Sequence, residues 1–130
     1  MEHSQREFLL LLGYLYIRYA KYDEALLVLQ GMKGCLPNDS EIAIALAYAC
    51  LRTERIHEAY DILQALELTP LHGKQEKLFF LLQSRILWAL GRDAAARDAL
   101  IHFLGIEERE LRLHGYQKQW LFPKKGGAKS

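Results

Sequence analysis

Apolar and small residues recur in this 130-residue chain with a period of about 34 residues. In sequence order, the first period contains Leu9, Leu12, Gly13, Tyr16, Ala25, Leu29, Met32 and Pro37. Gly13 is expected to let one helix approach its partner closely, with Ala25 facing it from the second helix. Pro37 is expected to end that second helix, because proline has no amide donor and clashes with the preceding turn. The feature therefore predicts helices packed in pairs.

Two further units repeat these positions with decreasing fidelity. The second contains Ala43, Leu46, Ala47, Cys50, Ala59, Leu63, Leu66 and Pro70. After a three-residue shift, the third contains Phe80, Gln83, Ser84, Leu87, Gly91, Ala96, Leu100 and Phe103. This spacing resembles that of the tetratricopeptide repeat (TPR), and decay toward one end is common in short solenoids, whose terminal units are atypical.

We therefore predict an all-α fold, in which three tetratricopeptide-like helix pairs form a short right-handed superhelix followed by a C-terminal capping helix. The pairs are expected near 6–39, 40–73 and 77–106. The capping helix is expected near 107–120, beginning at acidic residues that favour a helix N-terminus. Repeats of this kind build a binding surface and carry no reactive group of their own.

Capping residues and helix breakers place the limits of the helices. Ser4 and Glu7 have the spacing of a capping box ahead of an apolar run. The helices of the three pairs are predicted at 5–19, 22–34, 40–53, 56–68, 74–90 and 93–104. The single domain is expected to cover 1–122, and a disordered basic tail is expected at 123–130.

Composition excludes several classes of function. The formal net charge of +1 lacks the basic excess of a general nucleic-acid binder. The N-terminus lacks the features of a signal peptide, and the longest apolar run is too short to span a membrane. Cys35 and Cys50, the only cysteines, are expected to be free thiols in a reducing compartment. We therefore expect a cytoplasmic protein that neither binds nucleic acid nor inserts into a membrane.

Catalytic and metal-binding patterns are absent from the sequence. None of the five histidines has zinc-ligand spacing with another histidine or a cysteine. No glycine-rich phosphate loop and no nucleophile elbow is present. We expect no enzyme activity, no metal site and no cofactor.

The first helix of each pair is expected to line a concave groove. Groove-facing positions in the three repeats hold Leu10, Tyr14, Ile17 and Arg18, then Ile44, Tyr48, Leu51 and Arg52, then Leu81, Arg85 and Trp88. Large exposed apolar surfaces mark partner sites, and aromatic residues and arginine are enriched at binding hot spots. The groove predicts a partner with an apolar or amphipathic segment. The alternative is that these residues belong to the core, covered by the C-terminal helix.

The N-terminal third of the chain also resembles a known family. The segment from Gln5 to Leu15, followed by Glu24 and Ala25 and a leucine-rich stretch that ends at Pro37, resembles the small TPR chaperones of bacterial type III secretion systems, in particular the YscY-like group. The resemblance implies a cytoplasmic bacterial chaperone that holds a small secreted component of the apparatus as its cargo. It also implies that chaperone and cargo together contact the export-gate protein of the inner membrane.

Two functional hypotheses from different classes follow. The first is an export chaperone that covers an amphipathic segment of a secreted protein and keeps it soluble and competent for export. The second is an adaptor that joins two folded proteins or forms a homo-oligomer. A related alternative is a chaperone of translocator proteins, although those carry an N-terminal helix ahead of the first repeat and here that repeat begins at Arg6.

Overall fold

The computed structural model describes residues 1–113, and these form six α-helices without a strand. The helices are α1 (His3–Arg18), α2 (Tyr22–Cys35), α3 (Ser40–Arg52), α4 (Ile56–Ala65), α5 (Lys74–Ala89) and α6 (Asp93–Leu113). The all-α prediction is confirmed for this part of the chain. The remaining predicted features, the end of the capping helix and the tail at 123–130, lie outside the described residues.

Consecutive helices pack against each other, and α3 lies at the centre. It contacts α1, α2, α4 and α5, and eight of its residues are buried. The sequence of α3 explains this position: the stretch from Ile42 to Cys50 is apolar or small on every face, and a helix of that kind is stable only when it is surrounded. Among the described helices, α6 packs on α5 alone.

The turns inside the three helix pairs have the same backbone geometry. Ala20, Glu54 and Gly91 each follow the first helix of a pair and have positive φ angles of 60°, 64° and 78°. In each turn the next residue donates its amide to a carbonyl five positions earlier, as Arg55 does to Cys50 at 2.8 Å. This is the Schellman ending of a helix, in which one residue in the left-handed region lets the chain reverse direction. These three turns therefore share one backbone conformation.

The N-terminal capping box lies two residues earlier than predicted. Helix α1 begins at His3, with Glu2 as its cap, and the Glu2 amide donates to Gln5 Oε1 at 3.1 Å. The predicted pair, Ser4 and Glu7, instead lies within the helix. Glutamate and glutamine supply the same two acceptors as the expected residues, so the helix gains an additional half turn.

The C-terminal end of the described fold differs more from its prediction than the N-terminal end does. The predicted break between 104 and 107 is absent, because α6 is continuous through Gly105. A lone glycine inside a helix destabilises it by only about 1 kcal/mol. Two contacts with α5 stabilise the continuous helix: Ile106 is buried, and Lys77 forms ion pairs with Glu107 and, at 2.9 Å, with Glu110. These contacts hold the second half of α6 along α5. The part of the predicted capping helix that is described is therefore the continuation of α6.

Candidate partner-binding cavity

A cavity of about 510 Å³ opens between α1, α3 and α5. Its lining residues come from α1, α3 and α5: Tyr14, Ile17, Glu41, Ile44, Ala45, Tyr48, Lys74, Gln75, Leu78, Leu81, Leu82 and Arg85. Most of them are apolar or aromatic, with a few polar groups at fixed positions. This volume and composition are typical of binding sites in proteins.

One face of α3 forms the floor of the cavity. Ile44, Ala45 and Tyr48 follow one another at helical spacing, so their side chains share a face. Ile44 and Ala45 are nearly buried, whereas Tyr48 is partly exposed. The floor is therefore set by the central helix, which is packed on its other faces.

Tyr14 is held in place at one side of the cavity. Its hydroxyl donates to a Glu41 carboxylate oxygen at 2.9 Å, and 40% of its surface remains exposed. Burial, together with the neighbouring Glu41 carboxylate, raises the pKa of Tyr14 above its ordinary value. The tyrosine is therefore a neutral donor with a fixed ring, available for apolar contact.

An ion-pair network anchors this side. Arg6 donates to Asp39 at 2.8 Å and to Glu41 at 3.0 Å, and Asp39 caps α3 by accepting the amides of Glu41 and Ile42. The Arg6 hydrogen bonds lower the pKa of Asp39, and the carboxylates raise the pKa of Arg6. The network locks α1 to the start of α3 and so fixes the distance between Tyr14 and the floor.

The wall formed by α5 has a different character. Lys74, Leu78, Leu81 and Arg85 lie along one face of this helix, and all four line the cavity. Leu78 is 47% exposed, whereas the nearby residues Phe79 and Leu82 of the same helix are buried. This wall therefore presents two leucines between two cations.

The structure brings six of the eleven predicted groove residues together around the cavity. They are Tyr14, Ile17, Ile44, Tyr48, Leu81 and Arg85. That they bind a partner stays a prediction. They line one shared concavity between α1, α3 and α5, although Ile44 is itself buried in the core.

Two further predicted groove residues do not line the cavity, and they pack in the core or against it. Leu10 is only 4% exposed, because at this end α1 closes against the start of α3 through Arg6. Leu51 is half-buried and packs on the same core. Both residues have the helical spacing of the groove positions. That spacing predicts the direction in which a side chain leaves its helix, but not how close the next helix lies.

The other three predicted residues lie outside the cavity lining. The Arg52 guanidinium is positioned over the Tyr22 ring, 5.1 Å from its centroid, in a cation–π contact. Arg18, in the last turn of α1, and Trp88, near the end of α5, are both exposed. The equivalence of Arg18 and Arg52 in the sequence therefore does not give them a shared role at the cavity.

Sequence reasoning missed half of the lining. The residues not anticipated are Glu41, Ala45, Lys74, Gln75, Leu78 and Leu82. Lys74 and Leu78 precede Leu81 by two turns and one turn of the same helix, so extending the predicted face of α5 toward its N-terminus would have found both. Glu41 had no such signal, because its place depends on Tyr14 and Arg6 from another helix.

Further apolar surface lies outside the cavity. Phe8, Leu11 and Leu15 of α1, with Tyr19 directly after the helix, form a stripe whose exposed fractions range from 42% to 68%. Exposed stripes of this size are characteristic of interaction surfaces. The molecule therefore carries a second candidate surface on the first helix.

The described residues contain no cluster of three or more histidine, cysteine or acidic side chains that could hold a metal ion. None of the helices in residues 1–113 is both long and apolar enough to cross a bilayer. Comparison of the chain with protein-family models, curated proteins and solved structures gives no match.

Proposed function

We propose that this chain is a tetratricopeptide-like binding protein that holds an amphipathic segment of a partner protein in the cavity between α1, α3 and α5. The observation that carries the proposal is the cavity itself: equivalent helices of three successive pairs contribute apolar and aromatic side chains to one concave surface. The repeated turn geometry at Ala20, Glu54 and Gly91 supports the assignment of the pairs to one repeat type. Helix-in-groove binding is the recognition mode that suits such a surface.

The resemblance of residues 5–37 to small type III secretion chaperones narrows the proposed partner. On that basis the cargo is a small secreted component of a bacterial export apparatus, held in the cytoplasm before export, and the complex docks on the export gate. Covering an amphipathic segment removes the surface through which an unfolded export substrate would aggregate. The fixed ring of Tyr14 and the floor residue Tyr48 supply aromatic contacts of the type found at hot spots.

Co-expression with short proteins encoded beside the gene, followed by mass spectrometry of what co-purifies, tests the proposal. With the cargo in hand, Tyr14→Ala combined with Tyr48→Ala is expected to weaken binding by about 2 kcal/mol or more, as loss of aromatic hot spots does. The matched control is Leu27→Ala with Ile101→Ala, two exposed side chains outside both the cavity lining and the apolar stripe of α1. Full-strength binding by a folded Tyr14/Tyr48 variant would contradict the cavity as the cargo site.

A second candidate function rests on the apolar stripe of α1. If two copies packed their first helices antiparallel, Leu11 would meet Leu15 and Glu7 would approach Arg18 of the second copy. Arg18 has no carboxylate partner among the described residues. This arrangement suits the homo-oligomeric scaffold. Light scattering after size-exclusion chromatography decides it: the scaffold requires a dimer that Leu11→Glu converts to a monomer.

A further inference from the structure

The cations of the α5 wall have no counter-charge within the described part of the protein. Neither Lys74 nor Arg85 forms a salt bridge there, whereas Lys77 on the same helix is paired with Glu107 and Glu110. Glu41 is the single acidic residue in the lining, and it already accepts hydrogen bonds from Tyr14 and Arg6. The cavity thus has one hydrogen-bonded carboxylate on the side of α1 and two cations without a salt-bridge partner on the α5 wall.

The two cations also have a defined separation. Lys74 and Arg85 are three helical turns apart on one face, which corresponds to about 16 Å along the axis. Leu78 and Leu81 occupy the face between them. The wall therefore presents an apolar centre bounded at each end by a positive charge.

We propose that the occupant of the cavity is an amphipathic helix of the partner whose apolar face is bordered, on the side that meets α5, by acidic residues about eleven positions apart. This inference rests on the proposed function and adds the charge pattern of the bound segment. Acidic side chains at that spacing lie on one face of the partner helix, at the same separation as Lys74 and Arg85. Complementary charges at the border of an apolar interface set orientation and register and exclude wrong partners.

The chain's own C-terminal segment does not supply this pattern. Residues 114–130 contain Lys118, Lys124, Lys125 and Lys129 but no aspartate or glutamate. Placed in the cavity, that segment would add positive charge beside Lys74 and Arg85. Charge complementarity therefore favours a separate acidic partner over the C-terminal segment.

Three synthetic helical peptides of about 18 residues test the inference. They share one apolar face and carry glutamate, glutamine or lysine at two flanking positions eleven apart. Fluorescence anisotropy with the full chain is expected to show the glutamate peptide binding about tenfold more tightly than the glutamine peptide, which is the factor that two partly desolvated ion pairs supply. Added salt should reduce this preference.

Charge reversal identifies the responsible side chains. Lys74→Glu combined with Arg85→Glu is expected to invert the order, so that the lysine peptide binds best. Lys21→Glu with Arg97→Glu is the matched control, because it changes the net charge equally at exposed residues outside the lining. Circular dichroism and thermal melts of both variants verify that they are folded.

The outcomes separate the inference from the proposed function. Equal affinity of all three peptides, with binding still lost in Tyr14→Ala/Tyr48→Ala, would overturn the charge pattern and leave the cavity as the binding site. Preference for the glutamate peptide that survives in Lys74→Glu/Arg85→Glu would also overturn it. No binding of any peptide by the folded wild-type chain would contradict the proposed function and this inference together.

Discussion

The backbone of Gly13 lies against the side chain of Leu29, so that a Cβ atom placed on Gly13 would be 3.1 Å from Leu29 Cδ2. Leu29 is fully buried, and it occupies the space that a side chain at position 13 would need. The sequence had suggested Ala25 as the facing residue. Ala25 is also buried in α2, but the close approach is to the residue one turn further along that helix.

Gly13→Leu is therefore expected to destabilise the protein by about 1–3 kcal/mol or more, because several atoms must enter a space already filled by Leu29. Urea unfolding followed by circular dichroism measures the loss. Leu29→Ala in the Gly13→Leu background should recover part of it, since the truncated side chain vacates that volume. An unchanged melt for Gly13→Leu would contradict the close packing of α1 on α2.

Gly105 and Gly91 are predicted to respond in opposite directions to alanine. A Cβ at either position meets no atom within 4 Å, so space does not distinguish them. Gly105 is inside α6, where alanine is expected to stabilise by about 0.5–1 kcal/mol. Gly91 has φ +78°, where alanine is expected to destabilise by about 1 kcal/mol or more. Thermal melts of the two single variants test the pair, and the same sign for both would contradict the turn geometry.

Asp39 is predicted to make stability fall in acid. The Arg6 hydrogen bonds lower its pKa in the folded state, so the unfolded chain binds the proton first. The stabilisation is therefore fully present above the unfolded pKa of about 3.9 and is lost as the pH falls through the lower folded pKa. Urea midpoints measured from pH 7 down to pH 2 should fall less steeply for Asp39→Asn than for the wild type.

The same residue is expected to contribute at neutral pH as the cap of α3. Asp39→Ala should cost about 1–2 kcal/mol, because it removes the acceptor of two helix amides. A double-mutant cycle with Arg6→Ala isolates the ion pair from the cap. A coupling energy of zero would show that Arg6 and Asp39 act independently.

The two cysteines are predicted to react with a thiol reagent at very different rates. Cys35 is exposed, whereas Cys50 is buried, and burial, with a smaller effect of Glu58, raises the pKa of the Cys50 thiol to about 11. At pH 8 the Cys35 thiol should react rapidly, and the Cys50 thiol should react only as fast as the protein unfolds. Cys35→Ser should remove the fast phase and Cys50→Ala the slow one. Two fast phases would contradict the burial of Cys50.

The raised pKa also has a consequence at alkaline pH. The unfolded chain loses the Cys50 proton near the ordinary thiol pKa of about 8.5, before the folded chain does. The contribution of the neutral thiol to stability is therefore complete below that pH and is lost as the pH rises toward 11. Cys50→Ala should show a smaller decrease in unfolding free energy over this range.

The sequence predicted that residues 1–113 are helical. It also predicted where five of the six helices start, at Tyr22, Ser40, Ile56, Lys74 and Asp93. These features depend on neighbours within a few positions: apolar spacing, caps and breakers act locally. The continuity of α6 did not follow, because a break at Gly105 is prevented by Lys77 and by the burial of Ile106, which involve α5.

For the candidate site, the sequence determined which face of each first helix turns inward, and this is why Tyr14, Tyr48 and Leu81 meet around one cavity. Only the tertiary structure decided where that cavity ends. Leu10 is buried in the core and Arg52 packs on the Tyr22 ring, so neither lines the cavity, whereas Lys74 does. The physical reason is that helical periodicity fixes the direction of a side chain, whereas the distance and tilt between helices come from contacts such as Gly13 with Leu29 and Arg6 with Asp39.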